Sequence, residues 1–239
     1  MKRKNGIEFG DGWQTPLHGW YQHRDGLGIR SDVKSLSRER NGTDDVSVWK
    51  IFFQVINGTL VVFYSTGVRK VNGVGGNQYM LAHFPITKVL VVGTCAGIDK
   101  RFDVLDIIIP DRAVQYDCTV KEIEPLLKPS FVVPIDVTKY GIDGNATIGT
   151  ADRAVVMWRD YLELQENGIT VADTEAAAIA YICRKNEIEC IIIKGISDFP
   201  TDETGLDPLQ SNQEQINVYI ANTPKVMTRI FDDYLQLFI

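Results

Sequence analysis

The chain has 239 residues, of which 44% are hydrophobic and 23% charged, and its formal net charge is −6. This length and composition are those of one large globular domain with a well-buried core. The acidic balance argues against a nucleic-acid partner, because proteins that bind nucleic acids usually carry a basic face. No apolar run approaches the roughly 18–20 residues of a membrane span, so we expect no membrane partner either.

The cysteines and histidines give no sign of a disulfide framework or a metal site. The four cysteines form no CxxC pair, and the three histidines fall at no ligand spacing with them. We interpret the cysteines as buried reduced thiols, which are typical of a reducing compartment. The basic N-terminus is not followed by the apolar segment of a signal peptide. We therefore expect a cytoplasmic protein with neither a metal nor another cofactor.

Residues 1–45 differ from the rest of the chain. They are rich in glycine, arginine, aspartate and serine, and their apolar residues recur at neither the helical nor the strand period. We interpret them as an irregular arm or insertion in front of the main domain, residues 46–239.

The first regular segment is a β-hairpin. Asn57-Gly58 supplies the positive φ angles that a tight turn needs, and apolar runs at 48–56 and 59–64 flank it. A helix over 69–83 is expected next.

Apolar strands and helices alternate over the rest of the chain. Short apolar runs of the kind that fully buried strands show are separated by helical patterns. This alternation predicts an α/β fold, a three-layer αβα domain with a central mixed, largely parallel sheet. The predicted strands are residues 89–92, 107–109 and 188–193, and the predicted helices are residues 153–165, 175–185 and 213–237.

Two strands are expected to deliver polar groups to one edge of this sheet. In open α/β sheets, ligands bind beyond the carboxyl ends of the strands. Val89–Val92 leads into Gly93–Gly97, which we predict to be a turn whose small residues let backbone N–H groups approach a ligand. Ile188–Ile193 leads into Lys194–Asp198. Glu175 joins them from the start of a helix, where the backbone dipole favours an ionised carboxylate.

Each of these features also has a purely structural explanation. A helix cap would explain Glu175, and an Asx turn would explain Asp198 ahead of Phe199-Pro200. Two carboxylates at one sheet edge nevertheless suit an enzyme that protonates a leaving group while it holds a sugar.

Five motifs occur in order along the chain: Ser-Thr-Gly-Val at 65–68 with Lys70-Val71, Gly-Thr-Cys-Ala-Gly at 93–97, Thr-Ala-Asp at 150–152, Thr-Glu-Ala-Ala-Ala-Ile-Ala at 174–180 and Ile-Ser-Asp at 196–198. Together they resemble the nucleoside phosphorylase and nucleosidase superfamily, and within it the methylthioadenosine/S-adenosylhomocysteine nucleosidases. The likeness runs from about residue 60 to the C-terminus, so the main domain is expected to be a nucleoside phosphorylase-like catalytic domain.

The resemblance implies cleavage of the N-glycosidic bond of a purine nucleoside. Asp198 matches the acid that protonates the purine as the bond breaks, with Ser197 holding it. This carboxyl would then need either a pKa above the ordinary value of about 3.9 or a proton held by a neighbour. Glu175 matches the residue that accepts hydrogen bonds from the ribose 2′- and 3′-hydroxyls. Thr94 matches a hydroxyl near the nucleophile, and the backbone at Val155 matches the position that reads the purine edge.

The resemblance also places Gly67, Cys95, Ala96 and Thr174 among the substrate-binding residues. Thr174 replaces the methionine that is usual before the ribose-binding glutamate, and Ala154 stands where an aromatic residue often stacks on the base. These departures indicate a divergent member whose pocket differs.

Hydrolysis is favoured over phosphorolysis. The phosphorylases of the superfamily carry an arginine where this chain has Val91, so a bidentate phosphate donor is missing. Lys194 retains the cation that nucleosidases keep beside the water site, while Arg69 keeps the phosphorylase alternative open. Glu8 is the nearest candidate by position for the glutamate that helps activate the water, but its surroundings do not match the family's turn.

We therefore predict a purine nucleosidase that acts on methylthioadenosine/S-adenosylhomocysteine-like substrates, with Asp198, Glu175 and Lys194 as its catalytic residues. Two alternatives stay open: a phosphate-dependent nucleoside phosphorylase, and a non-catalytic relative that binds or stores nucleosides. The resemblance further implies a homo-oligomer in which a neighbouring chain closes the 5′ side of the sugar.

Overall fold

The computed structural model describes residues 20–22, 51–117, 131–144, 146–155, 158–200 and 208–239. Within these ranges ten β-strands belong to one sheet, and helices pack against it. In chain order the strands are β1 (Trp20–Gln22), β2 (Ile51–Ile56), β3 (Thr59–Tyr64), β4 (Lys88–Gly97), β5 (Ile107–Ile108), β6 (Arg112–Gln115), β7 (Val132–Pro134), β8 (Thr147–Thr150), β9 (Val171–Asp173) and β10 (Glu189–Asp198). The α-helices are α1 (Lys70–His83), α2 (Trp158–Glu166), α3 (Ala176–Lys185) and α4 (Pro208–Arg229).

The sheet is mixed, as predicted. The strand order is β2-β3-β1-β4-β9-β8-β6-β7, and β10 pairs with both β4 and β5. Parallel pairing is confined to β10 with β4 and to β8 with β6 and β9, while the other pairs in the described part of the chain are antiparallel. The predicted α/β fold is therefore confirmed. Antiparallel pairing is more extensive than the sequence indicated, because the short strands β5 and β7 run antiparallel to β10 and β6.

The predicted hairpin is confirmed. β2 and β3 pair antiparallel from Ile56↔Thr59 to Ile51↔Tyr64. Asn57 and Gly58 both have positive φ, 51° and 80°. Two consecutive positive φ angles match the right-handed twist of the strands on either side, which explains why this dipeptide closes the hairpin.

A short strand from the N-terminal segment lies inside the sheet. β1 is antiparallel to β3 on one side and to β4 on the other. The interpretation of residues 1–45 as wholly irregular is therefore wrong for Trp20–Gln22, because these residues supply the backbone partners that two neighbouring strands need. The remainder of residues 1–50 lies outside the described residues, and the division at residue 45 stays a prediction.

β4 and β10 form the centre of the fold. They pair in parallel from Glu189↔Lys88 to Asp198↔Ala96. Val89, Val91 and the run Ile191–Ile193 are fully buried, as expected of parallel strands that are covered on both faces. α3 and α4 both pack against these two strands, and α1 packs against α3.

Gly93–Gly97 is not a turn. It is the second half of β4, paired with β10 from Gly93 to Ala96 and with β9 at Ala96 and Gly97. The prediction of a turn is wrong, because pairing with β10 continues the strand through this segment. The approach of its backbone N–H groups to a ligand stays a prediction. Small residues are needed here for packing: a Cβ on Gly97 would lie 2.4 Å from the ring of Phe199.

The helices agree with the prediction in number and order over the described residues. α1 and α3 begin one residue later than expected, and α2 begins at Trp158, beyond the predicted start at residue 153. After α4, which contains Pro224, the chain continues as a π-helical turn at Ile230–Tyr234 and a 3₁₀ turn at Leu235–Leu237. None of the helices in the described ranges is long and apolar enough to cross a bilayer.

Candidate active site

A cavity of about 400 Å³ opens where the carboxyl ends of β4 and β10 meet the N-terminal end of α3 and one face of α4. Its volume lies within the range of about 300–1,000 Å³ that is typical of small-molecule sites. Eight of the ten residues that we predicted for the site line it: Thr94, Cys95, Ala96, Val155, Thr174, Glu175, Ser197 and Asp198. The other residues that line it are Val68, Arg153, Ala154, Ala172, Asp173, Gln215, Ile216 and Tyr219.

Asp198 ends β10 at an irregularity of the sheet. The register shifts between Ile196 and Asp198, so two residues of β10 stand opposite Ala96 alone. Such a β-bulge re-aims the side chains beside it and is frequent next to active sites. Here it brings both Ser197 and Asp198 to the cavity wall.

The Asp198 carboxylate is buried and held at both oxygens. Ser197 Oγ donates to Oδ1 at 2.5 Å, and Gln215 Nε2 donates to Oδ2 at 2.7 Å. Burial raises the pKa of Asp198, and these two hydrogen bonds oppose the rise without cancelling it. A general acid must still hold its proton when it meets the substrate, and a raised pKa favours this protonated form.

Glu175 lies immediately before α3, buried to 3% exposure. Its side chain makes no cap hydrogen bond; the Asp173 carboxylate takes the N–H of Ala176 instead, at 3.0 and 3.2 Å. Glu175 Oε1 accepts from the backbone N–H of Arg69 at 2.7 Å and from the hydroxyl of Thr174. The alternative that Glu175 is simply a helix cap is therefore excluded by the contacts.

The contact with Arg69 depends on an unusual backbone. Arg69 has φ 75° and ψ 162°, a region that residues other than glycine rarely occupy and that costs about 1–3 kcal/mol. Strain of this kind clusters at ligand sites. Gly67, with φ 81°, makes the preceding bend between β3 and α1.

Gly67 does not line the cavity. It turns the chain so that Val68 reaches the cavity rim and the Arg69 N–H reaches Glu175, and its role as a substrate-binding residue stays a prediction.

Lys194 also differs from its predicted position. It is fully buried and does not line the cavity. Its Nζ lies 2.8 Å from Oδ2 of Asp173, in an ion pair whose side chains are 0% and 2% exposed. Burial favours the neutral amine, but Asp173 and Glu175 outweigh it, so the pKa of Lys194 lies above its ordinary value. The cation is retained, but it lies behind the cavity wall, paired with Asp173.

α4 contributes residues that the sequence analysis missed. Gln215 and Tyr219 line the cavity from successive turns, and Asn222, one turn further on, is buried and donates to Ser197 O at 2.8 Å. The Tyr219 hydroxyl hydrogen-bonds to Thr94, and burial raises its pKa. A sequence signal existed: polar side chains recur at i, i+4 and i+7 on one face of a helix that must pack against the sheet.

The thiol of Cys95 contributes surface rather than reactivity. Burial raises its pKa far above the ordinary thiol value, so the thiolate that a nucleophile needs is suppressed. Cys183 is likewise a free, buried thiol, as predicted, whereas Cys190 is free but only half-buried; Cys118 lies outside the described residues. In the described part of the chain, no three histidine, cysteine, aspartate or glutamate side chains cluster as metal ligands.

In this α/β domain, two buried carboxylates line a cavity at the carboxyl ends of the strands. Such an arrangement is typical of proteins that bind a small polar molecule. The chain belongs to the phosphorylase superfamily, whose family model matches residues 28–144 and 145–232.

Individual relatives are similar to this chain at low sequence identity. The 5′-methylthioadenosine/S-adenosylhomocysteine nucleosidase of Hydrogenovibrio crunogenus is 23% identical over 196 residues, which are 74% of this chain and 82% of that protein. The Colwellia psychrerythraea enzyme of the same name, solved in complex with adenine, superposes with a TM-score of 0.62 at 19% identity, covering 82% of this chain and 84% of that one. Futalosine hydrolase of Helicobacter pylori gives a TM-score of 0.61 at 17% identity, covering 77% and 84%.

These comparisons confirm the resemblance and the nucleoside phosphorylase-like fold that the sequence predicted. They also place the chain among relatives that are named as enzymes. The homo-oligomer and the cytoplasmic location stay predictions.

Proposed function

We propose that this protein hydrolyses the N-glycosidic bond of a purine nucleoside of the methylthioadenosine/S-adenosylhomocysteine class. Asp198 is the general acid, and Glu175 binds the ribose hydroxyls. The observation that carries the proposal is the meeting of these two buried carboxylates at one cavity of about 400 Å³. The names of the relatives support the choice of substrate class.

Asp198 supplies the proton. A purine anion leaves poorly, so the C–N bond breaks more easily when the ring is protonated as it departs. The raised pKa of Asp198 supports this role, and Ser197 and Gln215 fix the direction of its carboxyl. After transfer, the carboxylate is stabilised by the same two donors.

Glu175 holds the sugar. A carboxylate accepts hydrogen bonds from two adjacent hydroxyls, and its negative charge favours the positive charge that grows on the sugar ring as the bond breaks. Arg69 N–H and the Thr174 hydroxyl both fix Oε1, so the group is oriented before substrate arrives. Preorganisation of this kind is effective where the charged group is shielded from water, and Glu175 is only 3% exposed.

The nucleophile is water. Thr94, whose hydroxyl contacts Tyr219, offers a polar group to the nucleophile on the cavity wall. Val91 is fully buried and apolar, and neither Arg69 nor Lys194 lines the cavity. Arg153 is the cation that lines the cavity among the described residues. This arrangement favours a neutral nucleophile over a phosphate dianion. Glu8 lies outside the described residues, so its candidacy as the group that activates the water stays a prediction.

Product analysis on a panel of nucleosides tests the proposal. The purified protein is incubated with methylthioadenosine, S-adenosylhomocysteine, adenosine and inosine, with and without phosphate, and products are separated by chromatography. Free base and free sugar in phosphate-free buffer are expected. Strict dependence on phosphate, with a pentose 1-phosphate product, would instead make the chain a phosphorylase. Binding without turnover would make it a non-catalytic relative.

A further inference from the structure

The side-chain amide of Gln215 bridges two acceptors at the cavity wall. Its Nε2 donates to Asp198 Oδ2 at 2.7 Å and to the backbone oxygen of Val155 at 3.3 Å. The residue is 8% exposed and lines the cavity. One primary amide therefore contacts the general acid and the carbonyl at the position that the resemblance assigns to the purine edge.

These two contacts fix which end of the amide is which. The backbone oxygen of Val155 can only accept, so the NH₂ end of the amide must face it, and a flipped amide would set oxygen against oxygen there. The carbonyl oxygen Oε1 is consequently the atom left over. It is buried and has no hydrogen-bond partner among the residues that the structure describes. A buried acceptor without a donor is unfavourable, and it points to a ligand that supplies one.

We propose that Gln215 is a specificity-determining residue that reads the leaving base, its Oε1 accepting an N–H from the amino group of a 6-aminopurine. This inference rests on the proposed function, because it takes Asp198 as the acid that protonates the purine, and N7 is the free basic nitrogen of the five-membered ring whose N9 carries the sugar. N7 and the substituent at C6 lie on the same edge of the ring. A side chain hydrogen-bonded to Asp198 is therefore next to the C6 substituent, where an amino group presents a donor to Oε1.

A 6-oxopurine meets the same atom unfavourably. Its O6 is an acceptor, and an acceptor facing Oε1 leaves both atoms desolvated and unpaired. Sites built around a buried polar group discriminate strongly against analogues that cannot satisfy it. Gln215 should therefore favour adenine nucleosides over hypoxanthine nucleosides.

The test measures kcat/KM for adenosine and for inosine in the wild-type protein, in Gln215→Met and in Gln213→Met. Methionine keeps the length of glutamine without its hydrogen bonds. Because each protein is measured on both nucleosides, the difference in intrinsic reactivity between adenosine and inosine cancels when their ratios are compared between proteins. The adenosine-to-inosine ratio is expected to fall about 10- to 100-fold in Gln215→Met, the size of one lost hydrogen bond to a buried group. Gln213 is exposed on the same helix, so Gln213→Met is expected to keep the wild-type ratio.

Each outcome decides the matter. If the adenosine-to-inosine ratio of kcat/KM is unchanged in a folded Gln215→Met protein, the inference is wrong. The proposed function then still holds, provided that the protein releases the free base. Equal rates on adenosine and inosine in the wild-type protein overturn it without any variant. Should no nucleoside be cleaved, the proposed function fails, and calorimetric titration with adenine and hypoxanthine applies the same ratio test to binding. Absence of binding to both bases overturns the inference as well.

Discussion

Replacing Lys194 by methionine tests whether a buried ion pair between Lys194 and Asp173 stabilises the protein behind the cavity. Methionine keeps most of the length and volume of lysine but removes its charge, so the Asp173 carboxylate loses the Nζ that lies 2.8 Å away. Both side chains are almost completely inaccessible, 0% and 2% exposed. Solvent therefore cannot replace the missing partner, and the variant leaves a charge buried and uncompensated.

The expected loss follows from that burial. Removing one member of a buried ion pair costs about 3–5 kcal/mol of unfolding free energy. We expect the lower end, about 3 kcal/mol, because Asp173 still accepts from the Thr150 hydroxyl at 2.5 Å and from the Ala176 N–H at 3.0 Å. In a chain of this length that corresponds to a fall of about 6–12 °C in Tm.

Urea denaturation at pH 7 of the wild-type protein, Lys194→Met, Asp173→Asn and the double variant measures the coupling. The sum of the unfolding free energies lost in the two single variants should exceed the loss in the double variant by about 1–3 kcal/mol. The reason is that neutralising both partners leaves no unpaired charge. Lys139, which pairs with Glu189 at 2.9 Å but is 46% exposed, provides the control: Lys139→Met should cost under about 1 kcal/mol. Additive losses, or a Lys194→Met protein within about 0.5 kcal/mol of wild type, would refute the buried ion pair.

Three further predictions follow from the site. Glu175→Gln should lower kcat/KM sharply on ribosides and much less on 2′-deoxyribosides, measured by base release, since only ribosides offer both hydroxyls; equal losses would refute its contact with the sugar. Folding raises the pKa of Asp198. The stability that the protonated carboxyl contributes is therefore fully present below the unfolded-state pKa of about 3.9, and it is lost as the pH rises through the folded-state pKa. Asp198→Asn should therefore be more stable than wild type at pH 7, by about 1.36 kcal/mol for each unit of the rise, with the difference vanishing near pH 4 and below in thermal melts; an equal difference at all pH values would contradict the shift. Gly195→Ala should destabilise the fold by about 1–3 kcal/mol in urea melts, because a Cβ there would lie 2.4 Å from Val226 of α4; wild-type stability would show that α4 does not pack so closely.

The parts of the fold that the sequence predicts are those with a local cause. Asn57-Gly58 determines a tight turn through its own backbone preferences, and the buried runs of β4 and β10 are recognised by their continuous apolar residues. The segment Gly93–Gly97 has the local composition of a turn. It is a strand because β10 and β9 pair with it, and such pairing between distant segments overrides local preference.

The site shows the same division. Asp198 and Glu175 stand within motifs, and both line the cavity as expected. Lys194 also stands beside such a motif, but the sequence cannot show that its ammonium group turns to a buried aspartate instead of the cavity. Gln215 belongs to no motif, since its position depends on how closely α4 lies against β10.

The central claim is that Asp198 acts as the acid in a cavity that also binds the base, and one paired measurement on Asp198→Asn tests it directly. Single-turnover release of adenine from methylthioadenosine gives the rate of bond cleavage, and calorimetric titration of the same protein with adenine gives the affinity of the site. Our account predicts that cleavage falls by a factor of about 10²–10⁴, the range for removal of a general acid, while the Kd for adenine changes less than about tenfold. Cleavage at near the wild-type rate would contradict it.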